Sequence, residues 1–579
     1  MGINYTYSIP PTIPIIKHIM QKNREMSSPR AGKGDDKGNS SLHKNGEWGM
    51  MGNLSIRTKR QPFPEERRDQ MMPLKKPGPI IALILSIVLL IGSGVSMASH
   101  RKDTVIMAFE GPMDSLDVYM TSLRQAIIFA YHVFDRLVTR NLQTFRPEPF
   151  LAESWKIIND TTWEFKLKKG VKFHNGDPFT AESVKFSIER VIKPEQKSPQ
   201  RTNWTWVDHI EVVDDHTVRF HSKAPYPLVL ERLTQGYLYS PRYVKEKGDA
   251  YIAEHPMGTG PYKFVSWTKG ERIVLKANED YWGKVPAIKN LIIRIIPESA
   301  TRVAELLAGG VDLIRNVEPD QIPVIEASPN ARISATKILR LAFLQMDGDG
   351  RAGPTPFQNI DVRRALNYAI DREAIVKQIL RGYGVPVYTP VTPLHFGYDP
   401  TIENPYSYNP QKAKELLAKA GYKDGIDVDY YIYGDRQVNE AIVGYLKKVG
   451  IRAHIKSYIE NPSVMTKLRR AGKIKDIGSF TWGSYSIFDA DAILYDWFHS
   501  TASNTYNTDP QMDKWLDEAR STLDAQKRKE LYGKLIRFIL DKAYWFPIYE
   551  RYAINGVNSE LNYETESDEI VRIYNASWK

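Results

Sequence analysis

Cysteine is absent from all 579 residues. That removes disulfides, thiolate metal ligands, a cysteine nucleophile and a lipid-modified cysteine anchor. Net positive charge is concentrated in the N-terminal part. The formal net charge is +11, but 14 Lys and Arg against 7 Asp and Glu fall in residues 1–76, leaving a body of +4. No basic block stands out in that body, so nothing predicts a nucleic-acid partner. The chain also lacks a Gly-x-Ser-x-Gly or His-Glu-x-x-His signature, and its 12 histidines are scattered. No nucleophile–base set and no metal cluster is legible, so the reading is of a protein that is not an enzyme, with no cofactor and no metal. What is present is globular: 42% hydrophobic and 25% charged residues, over a length that suits two to four domains.

The N-terminal hundred residues divide in two. Residues 1–70 are rich in Gly, Ser, Pro, Lys and Arg and show no apolar periodicity. Such a stretch cannot bury enough surface to fold. Then Met71, Met72 and the pair Lys75-Lys76 precede an apolar run at 80–91, and small residues lead to Ala98. A basic segment, a short apolar core and a small-x-Ala ending have the form of a secretory signal peptide, here 71–98, with cleavage after Ala98. The core is short for a membrane span, and an uncleaved anchor is the alternative. The first 70 residues are then an over-extended reading frame starting ahead of Met71 or Met72, or a cytoplasmic basic tail on an anchored chain.

Past residue 103 the pattern is α/β. Residues 104–109 read as a buried strand and 122–137 as an amphipathic helix. Residues 163–167 alternate as a half-buried strand. Asn175-Gly176 supplies a turn, and Thr180 is the N-cap of the helix that follows. His174 lies in that hairpin with no partner motif nearby, which points to a structural role. Gly258-Thr-Gly260 lacks the Lys-Ser/Thr of a phosphate loop and leads into a strand, so it reads as a tight turn. Asp347-Gly-Asp-Gly350 has the wrong spacing and ligands for calcium. Residues 360–380 read as one helix, stopped by Gly382 and Gly384. Strand 426–434, helix 437–449 and strand 451–456 make a βαβ unit. A strand end at 478–480 then leads to residues 480–491, Phe-Thr-Trp-Gly-Ser-Tyr-Ser-Ile-Phe-Asp-Ala-Asp. Aromatic walls with one or two acids suit a ligand pocket, and ligands sit beyond the carboxyl ends of strands in open α/β sheets. A packed loop is the competing reading of that stretch.

Several blocks carry a resemblance. Leu-Ala-Glu-Ser-Trp at 151–155 is followed by Gly-Val-Lys-Phe-His-Asn-Gly-Asp-Pro-Phe-Thr-Ala at 170–181. Further blocks are Met-Gly-Thr-Gly-Pro-Tyr at 257–262, Tyr-Trp-Gly at 281–283, Leu-Leu-Ala-Gly-Gly-Val-Asp at 306–312, Asp361 to Arg372, and residues 409–421. Together they resemble the bacterial extracellular solute-binding proteins of the oligopeptide- and dipeptide-binding family, from about Thr104 to about Tyr552.

The resemblance implies a two-lobed periplasmic-binding-protein fold, type II-like, with an extra subdomain. It implies a first lobe from 99–135, 258–340 and 548–579, the subdomain at 136–257, a second lobe at 341–547, and a hinge near 339–345 and 543–551. It further implies a monomeric periplasmic component of an ABC importer that captures a peptide or peptide-like solute and delivers it to the membrane permease. A non-peptide solute (opine, sugar or metal chelate) or a chaperone-like role is the alternative. Trp482 and Tyr485 are expected to flank the ligand, with core packing as their alternative. Asp489 is the closest match to the acid that pairs with a ligand ammonium, with Asp491 as its rival. Capping of the helix after it is the other role for Asp489, because Ala490-Asp491-Ala492 replaces the usual Pro-rich continuation.

Overall fold

Two strands are longer than the rest, Ala331–Met346 and Trp545–Asn558. They pair antiparallel along most of their length and form the middle of a sheet of eleven strands among the described residues. The computed structural model describes residues 102–483 and 487–579. The predicted leader, the tail before it, and Tyr485 lie outside those residues. Among the described residues, no helix is long and apolar enough to cross a membrane.

On one side of the central pair lies the first lobe. Thr104–Phe109 runs parallel to Asn290–Ile295 and to Leu313–Ile314. Arg272–Ala277 and Tyr262–Thr268 extend the sheet antiparallel to its edge. On the other side lies the second lobe. Ile426–Ile432 runs parallel to Ile451–Ser457 and to Ile477–Gly483, and helix Arg436–Lys448 makes the crossover that a parallel pair requires. Ile477–Gly483 pairs antiparallel with the upper half of Ala331–Met346. That half reads Ile-Leu-Arg-Leu-Ala-Phe-Leu-Gln-Met, a nearly unbroken apolar run, as a strand covered on both faces should. Phe343 stacks on Trp545 at 3.7 Å inside it.

The ladder between the two long strands breaks where the lobes meet. Lys337 pairs with Tyr552 and Leu341 with Glu550, so Ile338, Leu339 and Arg340 together face Arg551. Extra residues on one strand bend it and raise its twist. A second shift falls between Ala342 and Phe343, opposite Pro547, which has no N–H to give the ladder.

A separate four-stranded antiparallel sheet stands apart, in the order Ala152–Asn159, Thr162–Leu167, Thr217–Ser222, Val207–Asp214. Helix Ala181–Ile192 is packed against it through Val184, Ile188 and Val191. The Thr180 N–H donates to Ser183 Oγ at 3.3 Å at the start of that helix. Thr162–Leu167 is more deeply covered than its alternation suggests: Trp163, Glu164 and Phe165 are all buried, and Glu164 is paired with Arg219 and with the exposed Lys156.

Other expectations are corrected in detail. The helix predicted over 360–380 is two pieces. Ile360–Ala369 ends at Ile370, which is extended, and Asp371 restarts the chain by accepting the Ala374 N–H at 2.9 Å. A second N-cap inside an apolar period ends one helix and begins another. Asp347 braces its own loop, accepting N–H groups from Arg351 (2.8 Å) and Ala352 (2.9 Å). His174 ties the hairpin to the Gly258–Gly260 turn, with Nε2 2.9 Å from the Gly260 carbonyl.

Candidate functional site

The parallel strands of both lobes end at the junction between them. In the first lobe the chain leaves the sheet at Glu110 and at Arg315-Asn316. In the second it leaves at Tyr433-Gly434-Asp435 and at Gly483. Two of the larger cavities lie there, and a third is walled by the subdomain region and the second lobe alone. One of about 600 Å³ is walled by Glu318 of the first lobe, Arg340 and Arg551 of the long strands, and Asp435 and Arg436 of the second lobe. One of about 440 Å³ lies between Asn203 and Arg232 of the subdomain region and Trp482, Gly483 and Asp496 of the second lobe. The third, of about 560 Å³, is walled by Phe145, Glu231, Phe396, Phe488 and Asp489. Arg340 and Gly483 face each other in the ladder, so the walls of the first two cavities are neighbours.

Most charges around the junction are already spent on one another. Arg315 donates to both oxygens of Glu110 at 3.1 Å, and Asn316 adds a bond at 3.0 Å. Asp435 accepts from Arg551 at 2.7 Å and from the Tyr549 hydroxyl at 2.9 Å. Asp435 adopts a left-handed backbone, φ 47°, and its ion pair fastens the start of helix Arg436–Lys448 to the second long strand. Arg436, exposed beside it, makes no ion pair among the described residues.

The stretch at 480–491 has a longer strand than its composition suggests. Ile477–Gly483 carries Trp482 on its last residues rather than beyond them. Trp482 is half-buried on the wall of the 440 Å³ cavity and packs edge-on against Trp497 at 6.1 Å. Tyr485 lies outside the described residues. Asp489 is 2% exposed. Both its oxygens accept from Arg528 Nη2 at 2.8 Å, and Oδ1 also takes the Tyr532 hydroxyl at 3.1 Å and the Asp491 N–H at 3.0 Å. Burial outweighs the pull of Arg528 and pushes its carboxyl up to about 6. The segment is stitched to the 396 region, with Phe396 N–H on the Phe488 carbonyl and Ala490 N–H on the Phe396 carbonyl. Phe488 stacks flat on Phe145 at 4.9 Å, and Arg140 lies over its ring. Asp491, the rival acid, is held by Arg520 through bonds of 2.9 and 2.6 Å.

Asp496 differs from both. It sits on helix Asp491–Phe498, half-buried, on the wall of the 440 Å³ cavity. Its carboxylate has no hydrogen-bond or ion-pair partner among the described residues. Burial raises its pKa against the more distant pull of Arg232, Arg520 and Arg469. Sequence reasoning passed over it. The signal was there: a second acid set among Ile493, Leu494, Trp497 and Phe498, where a helix buried on nearly all sides has little reason to carry a charge.

Two α/β lobes joined by two strands, with polar cavities at the junction and the ends of parallel strands around them, define a hinged ligand-binding protein. Comparison with known proteins gives the family. Residues 146–505 match the bacterial extracellular solute-binding proteins, family 5, over its middle region. The chain is 29% identical to "Heme-binding protein A" of Haemophilus influenzae over 453 residues, 72% of this chain and 81% of that protein. It is 27% identical to the "Probable D,D-dipeptide-binding periplasmic protein DdpA" of Escherichia coli over 504 residues, 83% and 94% of the two chains. Among solved structures it is similar to the periplasmic binding protein DppA of Helicobacter pylori in complex with the peptide STSA. That likeness has a TM-score of 0.70 and 27% identity, and it covers 82% of this chain and 98% of that one. The chain belongs to the family 5 bacterial extracellular solute-binding proteins.

Proposed function

We propose that this protein captures a peptide or peptide-like solute in the interlobe cleft and hands it to the permease of an ABC importer. The observation that carries this is the cleft itself. Its two walls belong to lobes linked through a broken strand ladder, and those walls hold charged groups of both signs, Asp496 and Arg436 included, that make no ion pair among the described residues. A peptide offers both charges and a hydrogen-bonding backbone. Two of the relatives' names point the same way, a dipeptide-binding protein and a structure holding a peptide, while a third names haem.

The bulge at Ile338–Arg340 opposite Arg551 is the hinge of this reading. A ligand touching both lobes binds the closed form better and shifts the population toward it. The closed monomer is then what the permease recognises, and the segment at 71–98 exports the chain to the periplasm. Trp482 flanks the ligand. Asp489 holds the segment after it, since its oxygens are engaged by Arg528 and Tyr532. The protein performs no chemistry on its cargo.

Mass spectrometry of ligand released from protein purified without denaturation, followed by thermal shift with the compound found, tests the reading. A peptide should be released and should stabilise the protein by about 2.7 kcal/mol at a hundredfold excess over Kd. Release of haem, an opine, a sugar or a metal chelate, with no stabilisation by any peptide, would overturn it.

A further inference from the structure

We infer that the cavity of about 560 Å³ between the subdomain and the second lobe binds an apolar carboxylate, an acid with a hydrocarbon body, at a place apart from the interlobe cleft. The inference goes beyond the peptide reading and does not depend on it.

The walls come from two parts of the chain. On the subdomain side stands the turn of the hairpin between Val138–Arg140 and Pro147–Pro149. Phe145 in that turn has a left-handed backbone, φ 58°, which is uncommon for an aromatic residue. It is fixed there because its N–H donates to the Asn141 carbonyl at 2.8 Å and its carbonyl accepts Arg140 Nη1 at 2.6 Å. Its ring is thereby set flat against Phe488 of the second lobe. Trp163 and Leu230 add to the subdomain side, and Leu394 and Phe396 to the second-lobe side. An apolar body placed among these side chains leaves water, and the space lies within the range of about 300–1,000 Å³ usual for small-molecule sites.

Charge decides the other end of the ligand. Two acids line the cavity, and both are engaged. Glu231 takes Arg140 at 2.7 Å and the Phe488 N–H at 3.2 Å, and Asp489 is held by Arg528 and Tyr532. Of the lining cations, Arg528 is spent on that acid. Arg146 and Lys529, both exposed, make no ion pair among the described residues. The Lys529 ammonium lies 5.5 Å from the centre of the Phe396 ring, so its charge is set beside the apolar wall. His395 adds a neutral donor. It is 8% exposed, and its Nδ1 accepts the Thr392 N–H at 3.0 Å. A ring nitrogen that accepts carries no proton, so the neutral ring holds its proton on Nε2. That Nε2–H meets no acceptor among the described residues.

The lining therefore offers two cations and a fixed N–H, and no acid left to receive a cation. A cationic ligand finds no counter-charge here, and a small hydrophilic anion leaves the apolar wall uncovered. An acid with a hydrocarbon body uses both features. It also touches the Phe145 turn and the Phe396 and Phe488 side chains together, so it favours the arrangement in which subdomain and second lobe are in contact.

Calorimetry with the full chain, stripped of bound lipid, tests the inference with three probes of equal chain length below their micelle concentrations: dodecanoate, dodecanol and dodecyltrimethylammonium. Dodecanoate should bind once per chain, dodecanol about tenfold more weakly, and the cation not at all. Arg146→Glu combined with Lys529→Glu should weaken dodecanoate by about tenfold and leave dodecanol as it was. His395→Asn removes the Nε2 donor, keeps an acceptor for Thr392, and should weaken dodecanoate alone. Leu230→Trp fills the cavity and should abolish binding of both, with a melting curve to show that the chain still folds. Leu523→Trp fills it from the second lobe if the first variant does not fold. Trp482→Ala, on the cleft wall, should leave dodecanoate affinity unchanged. Equal affinity for all three probes, or several dodecanoates per chain, would show adsorption to exposed apolar surface and overturn the site. Loss of dodecanoate in Trp482→Ala with none in the cavity-filling variants would put the acid in the cleft and overturn it too. Undiminished dodecanoate binding in both the charge variant and His395→Asn would overturn the carboxylate assignment, and no binding to the wild-type protein would overturn the whole.

Discussion

Asp489 and Asp496 lie on either side of the start of one short helix and are spent differently. Asp489 is buried in an ion pair with Arg528, which is itself nearly inaccessible. Removing one member of a buried pair leaves the other charge uncompensated, at a cost of about 3–5 kcal/mol. Asp489→Asn is therefore expected to lower the unfolding free energy by that amount in urea titration. Ligand affinity per folded molecule should stay near wild type. A large loss of affinity with an unchanged melting temperature would instead put Asp489 on the ligand. In the sequence, Trp482 and the acids after it share a short span. That span does not rank the acids. Which carboxylate stays unpaired depends on Arg520 and Arg528, which come from two other helices, one after the other, further along the chain. Only the packed structure shows that Asp489 and Asp491 are ion-paired and Asp496 is not.

At the scale of elements, the Gly258–Gly260 turn is the joint between the first lobe's sheet and helix Arg124–Val133. Its glycines are needed for closeness. A Cβ on Gly260 would stand 2.6 Å from the Val133 carbonyl carbon and 2.8 Å from the His132 oxygen. Neither neighbour can yield. The Gly260 N–H bonds the Val133 carbonyl at 3.0 Å, and the Gly260 carbonyl takes His174 at 2.9 Å and Asn278 at 3.3 Å. Gly260→Ala should cost upward of about 1–3 kcal/mol as an overpacked contact, read as a lower denaturant midpoint. A midpoint equal to wild type would mean the turn can slide away from the helix. Elements like this were legible because turn and helix signals are local. The two-piece helix after Ile360 was not, because Val362, Ala365, Leu366, Ala369 and Ile370 keep an apolar period across the very residue where Asp371 restarts the backbone.

For the whole molecule, strand–helix–strand order showed an α/β fold and the contiguous blocks showed its kind. The pairing that unites the lobes did not show, since Ala331–Met346 and Trp545–Asn558 are joined across some two hundred residues of chain. Each lobe also carries a histidine buried in its neutral form, which links the stability of the whole to pH. His132 has Nδ1 2.8 Å from the Ile128 carbonyl and accepts the Ile573 N–H on Nε2 at 3.2 Å. His395 accepts the Thr392 N–H on Nδ1 at 3.0 Å. Burial lowers both to about 4. In the unfolded chain they titrate near 6.5. Between those values the unfolded state binds more protons than the folded one. Their contribution to stability is therefore complete above about pH 6.5 and is lost as pH falls toward 4. By pH 5 each should have given up about 2 kcal/mol. Denaturant titrations at pH 7 and pH 5 should show the loss. His395→Asn keeps an acceptor where Nδ1 stood and cannot take up the proton, so it should reduce the drop by about 2 kcal/mol. An unchanged drop in that variant would mean that His395 is solvated or protonated in the folded protein, and acid would then act on this protein through its carboxylates instead.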